Sequence, residues 1–241
     1  FLSNGNSSYH GASAQLTKRF SNGFQWTNAY TWSKLIDDTT AEVFSTVLSP
    51  RRVQDFQNLR PERALSALDH THRFVSSWIY EIPWFNKSTG LTRTLLGGFN
   101  IAGTYTYESG QRITIRSGLD ANQNGDSAGD RAILNQSGTE GVGSAVTALV
   151  RTCPAFVIPG DPTSGCTTTT ASRTIGYSAV NPGAKYIAAG NGAVSTIGRN
   201  TFRLPPINNF DISLFKNFRF GESKKIQLRA DFFNAFNHPQ Y

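Results

Sequence analysis

Apolar and polar residues alternate one for one along several stretches of this chain. Between Phe24 and Trp32 one register carries Phe24, Trp26, Tyr30 and Trp32, and the other Gln25, Thr27, Thr31 and Ser33. A repeat of two is the repeat of a strand, which predicts a strand over 24–35. Residues 9–20 show the same pattern, with Ala12, Ala14, Leu16 and Phe20 set against Ser13, Gln15, Thr17 and Arg19. Ser21-Asn22-Gly23 lies between them, and Asn-Gly readily supplies the positive φ angles of a tight turn. The two stretches therefore form a hairpin with one greasy face and one polar face.

Two more hairpins follow. Residues 73–85 put Phe74, Trp78, Tyr80, Ile82 and Trp84 in one register. Residues 98–115 set Phe99, Ile101, Gly103, Tyr105 and Tyr107 against Asn100, Thr104, Thr106 and Glu108. The polar connection 86–95 joins this pair. Near the end, 210–220 groups Phe210, Ile212, Leu214, Phe218 and Phe220. After a turn at Gly221–Ser223, 225–236 sets Ile226, Leu228, Ala230, Phe232 and Phe236 against Gln227, Arg229, Asp231 and Phe233. Only Pro61–Leu68 reads as a helix, with Pro in the first turn and good helix formers after it.

Connections within the hairpins are short, and those between them, 36–72 and 116–205, are long. Loops of that length are uncommon in compact soluble domains and are usually functional or mobile. Aromatics gather toward the strand ends, as at Phe24, Trp32, Trp78 and Trp84. A strand wall in lipid needs all of this: paired backbone, an apolar outside with aromatic girdles, a polar lumen, short periplasmic turns and long outer loops. The expected fold is all-β: an antiparallel transmembrane β-barrel segment, about six strands of a larger barrel, with long extracellular loops. Its apolar face would touch outer-membrane lipid. A secreted, soluble β-sandwich that binds glycans or mediates adhesion is the other reading. Its aromatics would be core and sugar-stacking platforms.

Composition narrows the picture. The chain has 241 residues, 38% hydrophobic and only 16% charged, with 12% aromatic, the profile of a β-rich protein with polar loops. No apolar run is long enough for a membrane-spanning helix. There is no methionine, which points to a piece of something longer. The net charge of +7 comes partly from pairs such as Lys18-Arg19, Arg51-Arg52 and Lys224-Lys225. Without a stripe or a motif these pairs do not indicate a nucleic-acid partner.

No catalytic constellation emerges, so the chain does not read as an enzyme. Cys153 and Cys166 bracket a Pro/Gly/Thr-rich stretch and suit a disulfide formed in an oxidising compartment; a pair of reduced thiols is the alternative. His70 and His72 share a strand register, but no third metal ligand is evident. Asp120, Asn122 and Asn124 are spaced as in a D-x-N-x-N-G calcium loop, with Gly125 at the sixth place and Asp126 at the seventh. The twelfth place holds Arg131, and Asp130 is the nearby substitute for the missing Glu. The stretch is either a weak calcium site or a polar turn at the barrel rim. No other cofactor is indicated.

NLRPERALSALDHTHRFVSSWIYEIP and NNFDISLFKNFRFGESKKIQLRADFFNAFNHPQY resemble the C-terminal barrel of TonB-dependent outer-membrane receptors. The nearest subgroup is abundant in Acidobacteria and carries an N-terminal carboxypeptidase-regulatory-like β-sandwich. Many of its members have a similar Asp/Asn/Gly-rich stretch ending in Asp-Arg, here Asp130-Arg131. The resemblance implies that residues 1–241 are a partial barrel, with the plug and terminal strands outside them. It implies a place in the cell outer membrane and import of a scarce small solute, glycan or peptide. The energy would come from the TonB complex through an N-terminal region that is not in this chain. It names no substrate-binding residues.

Overall fold

The computed structural model describes residues 5–38, 53–125, 127–152, 172–220 and 224–239. The chain forms two units. A sheet unit comprises Ser7–Ile36, Leu68–Arg112 and Arg203–Tyr241; a loop unit comprises Phe1–Asn6, Asp37–Ala67 and Ile113–Phe202.

The sheet unit holds six long strands in chain order: β1 (Ser7–Ser21), β2 (Phe24–Asp37), β3 (His72–Glu81), β4 (Phe99–Glu108), β5 (Ile207–Phe220) and β6 (Lys224–Phe232). Each is hydrogen-bonded to the next, and β2 through β6 pair antiparallel. Asn22 and Gly23 turn β1 into β2 with φ of 51° and 76°. These paired positive values belong to a two-residue hairpin turn. β3 and β4 have 10 residues each, matching the roughly 9–11 that cross the hydrocarbon when tilted.

Register carries the alternation from strand to strand. Trp26 faces Trp78, Trp78 faces Gly103, Gly103 faces Ile212, and Ile212 faces Phe232. Another row runs Tyr30, Phe74, Tyr107, Asn208. The other face runs Thr27, Ser77, Thr104, Asp211. One face of the sheet is therefore aromatic and the other polar. An aromatic ladder crosses the long-connection end: Phe74 and Tyr105 at 6.0 Å between centroids, Tyr105 stacked on Phe210 at 4.3 Å, and Phe236 edge-on to Phe210 at 5.1 Å.

Polar atoms on the aromatic face are largely paired with one another. Trp26 Nε1 donates to Ser76 Oγ at 3.0 Å, Tyr105 OH to Asn208 Oδ1 at 2.9 Å, and Tyr30 OH meets His72 Nδ1 at 2.8 Å. Asn28 Oδ1 is the exception, buried with no partner.

Several boundaries differ from the sequence reading. β3 stops at Glu81, because Pro83 has no N–H to give a ladder, so Ile82 and Trp84 are not strand residues. β4 ends at Glu108 instead of running to 115, and β6 at Phe232, before Asn234 at φ 47°. Pro61–Leu68 is not a helix. Only Arg60–Glu62 forms a 3₁₀ turn, and Ala64–Leu65 is extended. Pro61, Ala64, Leu65 and Leu68 do stand at helical spacing, but the buried Glu62 carboxylate is taken by Arg131 and Gln54 N, and these contacts set the backbone instead. A helix the alternation did not predict, α1 (Gly90–Leu96), lies inside the short connection from β3 to β4. The long connection 116–205 has sheets of its own, including Val146–Thr152 paired with Ser172–Ala179. The turn at Gly221–Ser223 lies outside the described residues.

Gly103 faces the Trp78 indole. A Cβ there would meet Trp78 Cζ2 at 2.6 Å, so the ring lies across the neighbouring strand only because the side chain is a hydrogen. Gly103→Val should destabilise the sheet by about 2 kcal/mol, the usual scale of overpacking. Heat-modifiable gel mobility of the membrane-inserted protein would register this as a lower unfolding temperature. Unchanged mobility would show that Trp78 has room elsewhere.

Candidate functional site

The polar face of the sheet holds a groove of about 400 Å³. Gln25, Thr27, Ser77, Thr104, Asp211 and Arg229 line it. The period-two repeat delivers these side chains to one side, whatever their separation in sequence. Arg229 Nε lies 2.7 Å from Asp231 Oδ1, which also accepts from Ser213 Oγ at 2.5 Å. The Arg229 guanidinium sits 5.0 Å from the centre of the Phe215 ring. Arg229 and Asp231, which the alternation puts on one face of the strand, pair with each other there.

At the long-connection end of the sheet unit, Asp69 is fully buried. Its carboxylate accepts from Leu35 N at 2.8 Å, Thr71 Oγ1 at 2.8 Å and Arg112 Nε at 3.4 Å. Arg203 donates to Thr71 Oγ1 at 2.6 Å. Burial and the nearby Arg203 hold the Arg112 guanidinium below its ordinary pKa, and Asp69 acts the other way. His70 Nδ1 lies 3.0 Å from Glu108 Oε1, and Arg73 Nε lies 3.4 Å from Glu108 Oε2. His70 precedes β3 and His72 begins it, so the two rings serve different partners, Glu108 and Tyr30.

In the loop unit four charged side chains are buried together: Asp37, Glu62, Arg131 and Arg199, each no more than 6% exposed. Arg131 pairs with the Glu62 carboxylate, which also accepts from Gln54 N at 3.2 Å. Arg199 Nε donates to the Glu62 carbonyl at 3.1 Å, and Nη2 to the Asp37 carbonyl at 2.9 Å and to its carboxylate. Two cations and two anions balance. Burial holds Arg131 below its ordinary pKa; Glu62 opposes this and Arg199 adds to it. Around the cluster, Asn200 Nδ2 donates to Leu65 O at 2.9 Å, and Asn200 Oδ1 accepts from Thr114 Oγ1 at 2.9 Å. Sequence reasoning missed this cluster. Its one visible signal was Arg131, standing where a calcium loop wants Glu.

The Asp120–Asp130 stretch folds beside these residues. Asp120 Oδ1 accepts from Asn124 N at 3.0 Å and Oδ2 from Gly125 N at 2.8 Å; Asn122 Oδ1 also accepts from Asn124 N, at 3.1 Å. Asn122 Nδ2 donates to Gln54 O at 2.7 Å. Asp130 is buried and accepts from Ala121 N at 2.9 Å. Asp126 lies outside the described residues, as do Cys153 and Cys166. Among the described residues, no group of three or more His, Cys, Asp or Glu is placed to hold a metal ion.

A cleft of about 730 Å³ opens in the same unit between Ser172–Ala179 and residues 187–193. Ile133, Ile175 and Ile187 give it apolar walls, and Gln123, Thr174 and Asn191 bring neutral hydrogen-bonding groups. The Tyr177 ring packs against Gly190, where a Cβ would stand 2.2 Å from it. No charged side chain is among the lining residues.

A family model described as an outer membrane beta barrel domain matches residues 1–241. No curated protein and no solved structure gives a significant match.

Removing one member of the buried charge cluster strands the rest. Glu62→Gln leaves Arg131 without its counter-charge and should destabilise the loop unit by about 3 kcal/mol. Limited proteolysis of the membrane-inserted protein reads this as roughly hundredfold faster cleavage within 113–202, with the strands intact. Cleavage at the unaltered rate would mean that the cluster contributes nothing to holding the loops.

Proposed function

We propose a role from one premise: the chain belongs to the outer membrane beta barrel domain family, whose model spans all 241 residues. It is an outer-membrane protein, with a wall of antiparallel strands, aromatic on one face and polar on the other. That family match does not favour a soluble β-sandwich. Our reading goes further. The wall belongs to a TonB-dependent receptor that binds a scarce solute with its outer loops and imports it, driven from the inner membrane. The chain itself does no covalent chemistry. The plug and the TonB-contacting segment lie in other parts of the receptor.

One observation carries this reading: the long connections contribute to a folded unit of their own. Among the described residues, two sheets and a buried, charge-balanced cluster organise it. Loops that merely closed a passive wall would not need that organisation. We place the solute in the cleft between Ser172–Ala179 and residues 187–193. Its volume suits a small ligand. Its uncharged lining suits a neutral solute, since burying an unpaired charge there would be costly.

Two measurements test the proposal. The intact receptor should bind the isolated periplasmic domain of TonB in a pull-down; a folded receptor that does not would overturn the energy coupling. Cells expressing the receptor should take up fluorescently labelled neutral oligosaccharides. That uptake should stop with a proton uncoupler and in an Ile187→Asp variant. Uptake of ferric citrate that ignores Ile187→Asp, with none of the oligosaccharides, would remove the cleft from the pathway.

A further inference from the structure

The short connection from β3 to β4 is not a plain polar turn. Residues 82–98 fold into a compact piece closed by Asn86, whose Oδ1 accepts from Gly98 N at 2.9 Å and whose Nδ2 donates to Ile82 O at 3.3 Å. Phe85 sits at φ 59°, a left-handed conformation that a bulky residue adopts only at a cost in strain. Within this well-held piece the large apolar side chains point outward. Trp84 is 70% exposed, Leu91 77% and Leu95 61%, with Phe85 and Leu96 also exposed. Leu91 and Leu95 are four apart on α1, so they share one face of the helix.

Lys216 shows where this patch lies. It occupies the aromatic register of β5, opposite Phe99 on β4 and Leu228 on β6. Its ammonium rides 4.2 Å above the Phe99 ring and donates to Leu95 O at 3.0 Å and to Gly97 O. The C-terminal end of α1 is therefore folded over the aromatic face at the edge of the wall. Lys216 solves the problem of a charge on a lipid-facing strand by reaching to helix carbonyls at that edge. The only charged side chains in 82–98 are Lys87 and Arg93, both positive. An exposed leucine face with basic residues and a tryptophan beside it is the make-up of a segment lying in a membrane interface.

We propose that residues 82–98 are an interfacial anchor: Trp84, Phe85, Leu91 and Leu95 insert among the acyl chains of the leaflet at the short-connection end, while Lys87 and Arg93 meet lipid phosphates. The occupant of the patch is lipid, continuous with the lipid against the aromatic face. It is not a second protein.

The test reads the depth of Trp84 directly. The full-length receptor is reconstituted into phosphatidylethanolamine–phosphatidylglycerol vesicles. The lipids carry bromine either in the upper part of the acyl chains or near their ends. The Trp84 signal is the difference in emission between the wild-type receptor and Trp84→Phe. Upper-chain bromine should abolish that component, and bromine near the chain ends should leave most of it. In a Leu91→Asp, Leu95→Asp variant the same component should move to the red and escape quenching, with heat-modifiable mobility preserved. A Trp84 component untouched by either brominated lipid, in a receptor that folds normally, would overturn the proposal. So would quenching that survives the double variant.

Discussion

A backbone N–H or C=O in hydrocarbon has no water to turn to, and each one left unpaired costs several kcal/mol. The form of the sheet unit follows from that requirement. β4 meets it most fully: from Asn100 to Glu108 it is paired to β3 on one side and β5 on the other. Pairing alone would tolerate slippage. The two faces do not, because a shift of one residue would turn the aromatic row of a strand to the polar side. Register is thus set by the solvent on each face, and Gly103 beneath Trp78 shows how closely the aromatic face is fitted. The same requirement bears on the outer edges of β1 and β6, which have no ladder partner among the described residues. Membership of a barrel family is the physical answer to those edges.

The loop unit obeys a different constraint. Its sheets are short. Long-range polar contacts hold it together. Arg199 reaches Asp37 across 162 positions of sequence and the carbonyl of Glu62 across 137. A buried cluster of this kind is not a strong source of net stability, because desolvation offsets most of the attraction between its charges. It is demanding about arrangement, however, since any packing that separates one charge from the others is heavily penalised. It ties residues of one long connection to residues of the other in a single configuration.

This contrast explains what could be read from the sequence. The strands were legible because each declares itself within about ten residues, through a repeat of two and an Asn-Gly or proline at its end. Their registers and faces were also legible, since the aromatics had to share a side. The loop cluster was not. Asp37, Glu62, Arg131 and Arg199 are ordinary surface residues by type, and nothing local marks them as buried. Arg131 was read as a defect in a calcium loop, when it is the partner of Glu62. Glu62 in turn was assigned to a helix by propensity, in a segment where burial of its carboxylate decides the conformation. α1 escaped for the opposite reason: its threonines and flanking glycines hide a leucine pair whose spacing was available to be read.

The aromatic face also marks where the membrane stops. On β5 the row Tyr30–Phe74–Tyr107–Asn208 lies near one end and the Phe99–Lys216–Leu228 row near the other. From Asn208 to Lys216 is eight steps along one strand. At about 3.4 Å per residue and a tilt of about 40°, that spans about 21 Å of membrane normal, close to the roughly 25 Å apolar band of such barrels. Between the two rows the aromatic face carries no charged side chain on β2 through β5. At the short-connection row the first cation, Lys216, bends away toward the carbonyls of α1. At the other row tyrosine hydroxyls find His72 and Asn208. The polar groups thus return at the two depths where water and headgroups return.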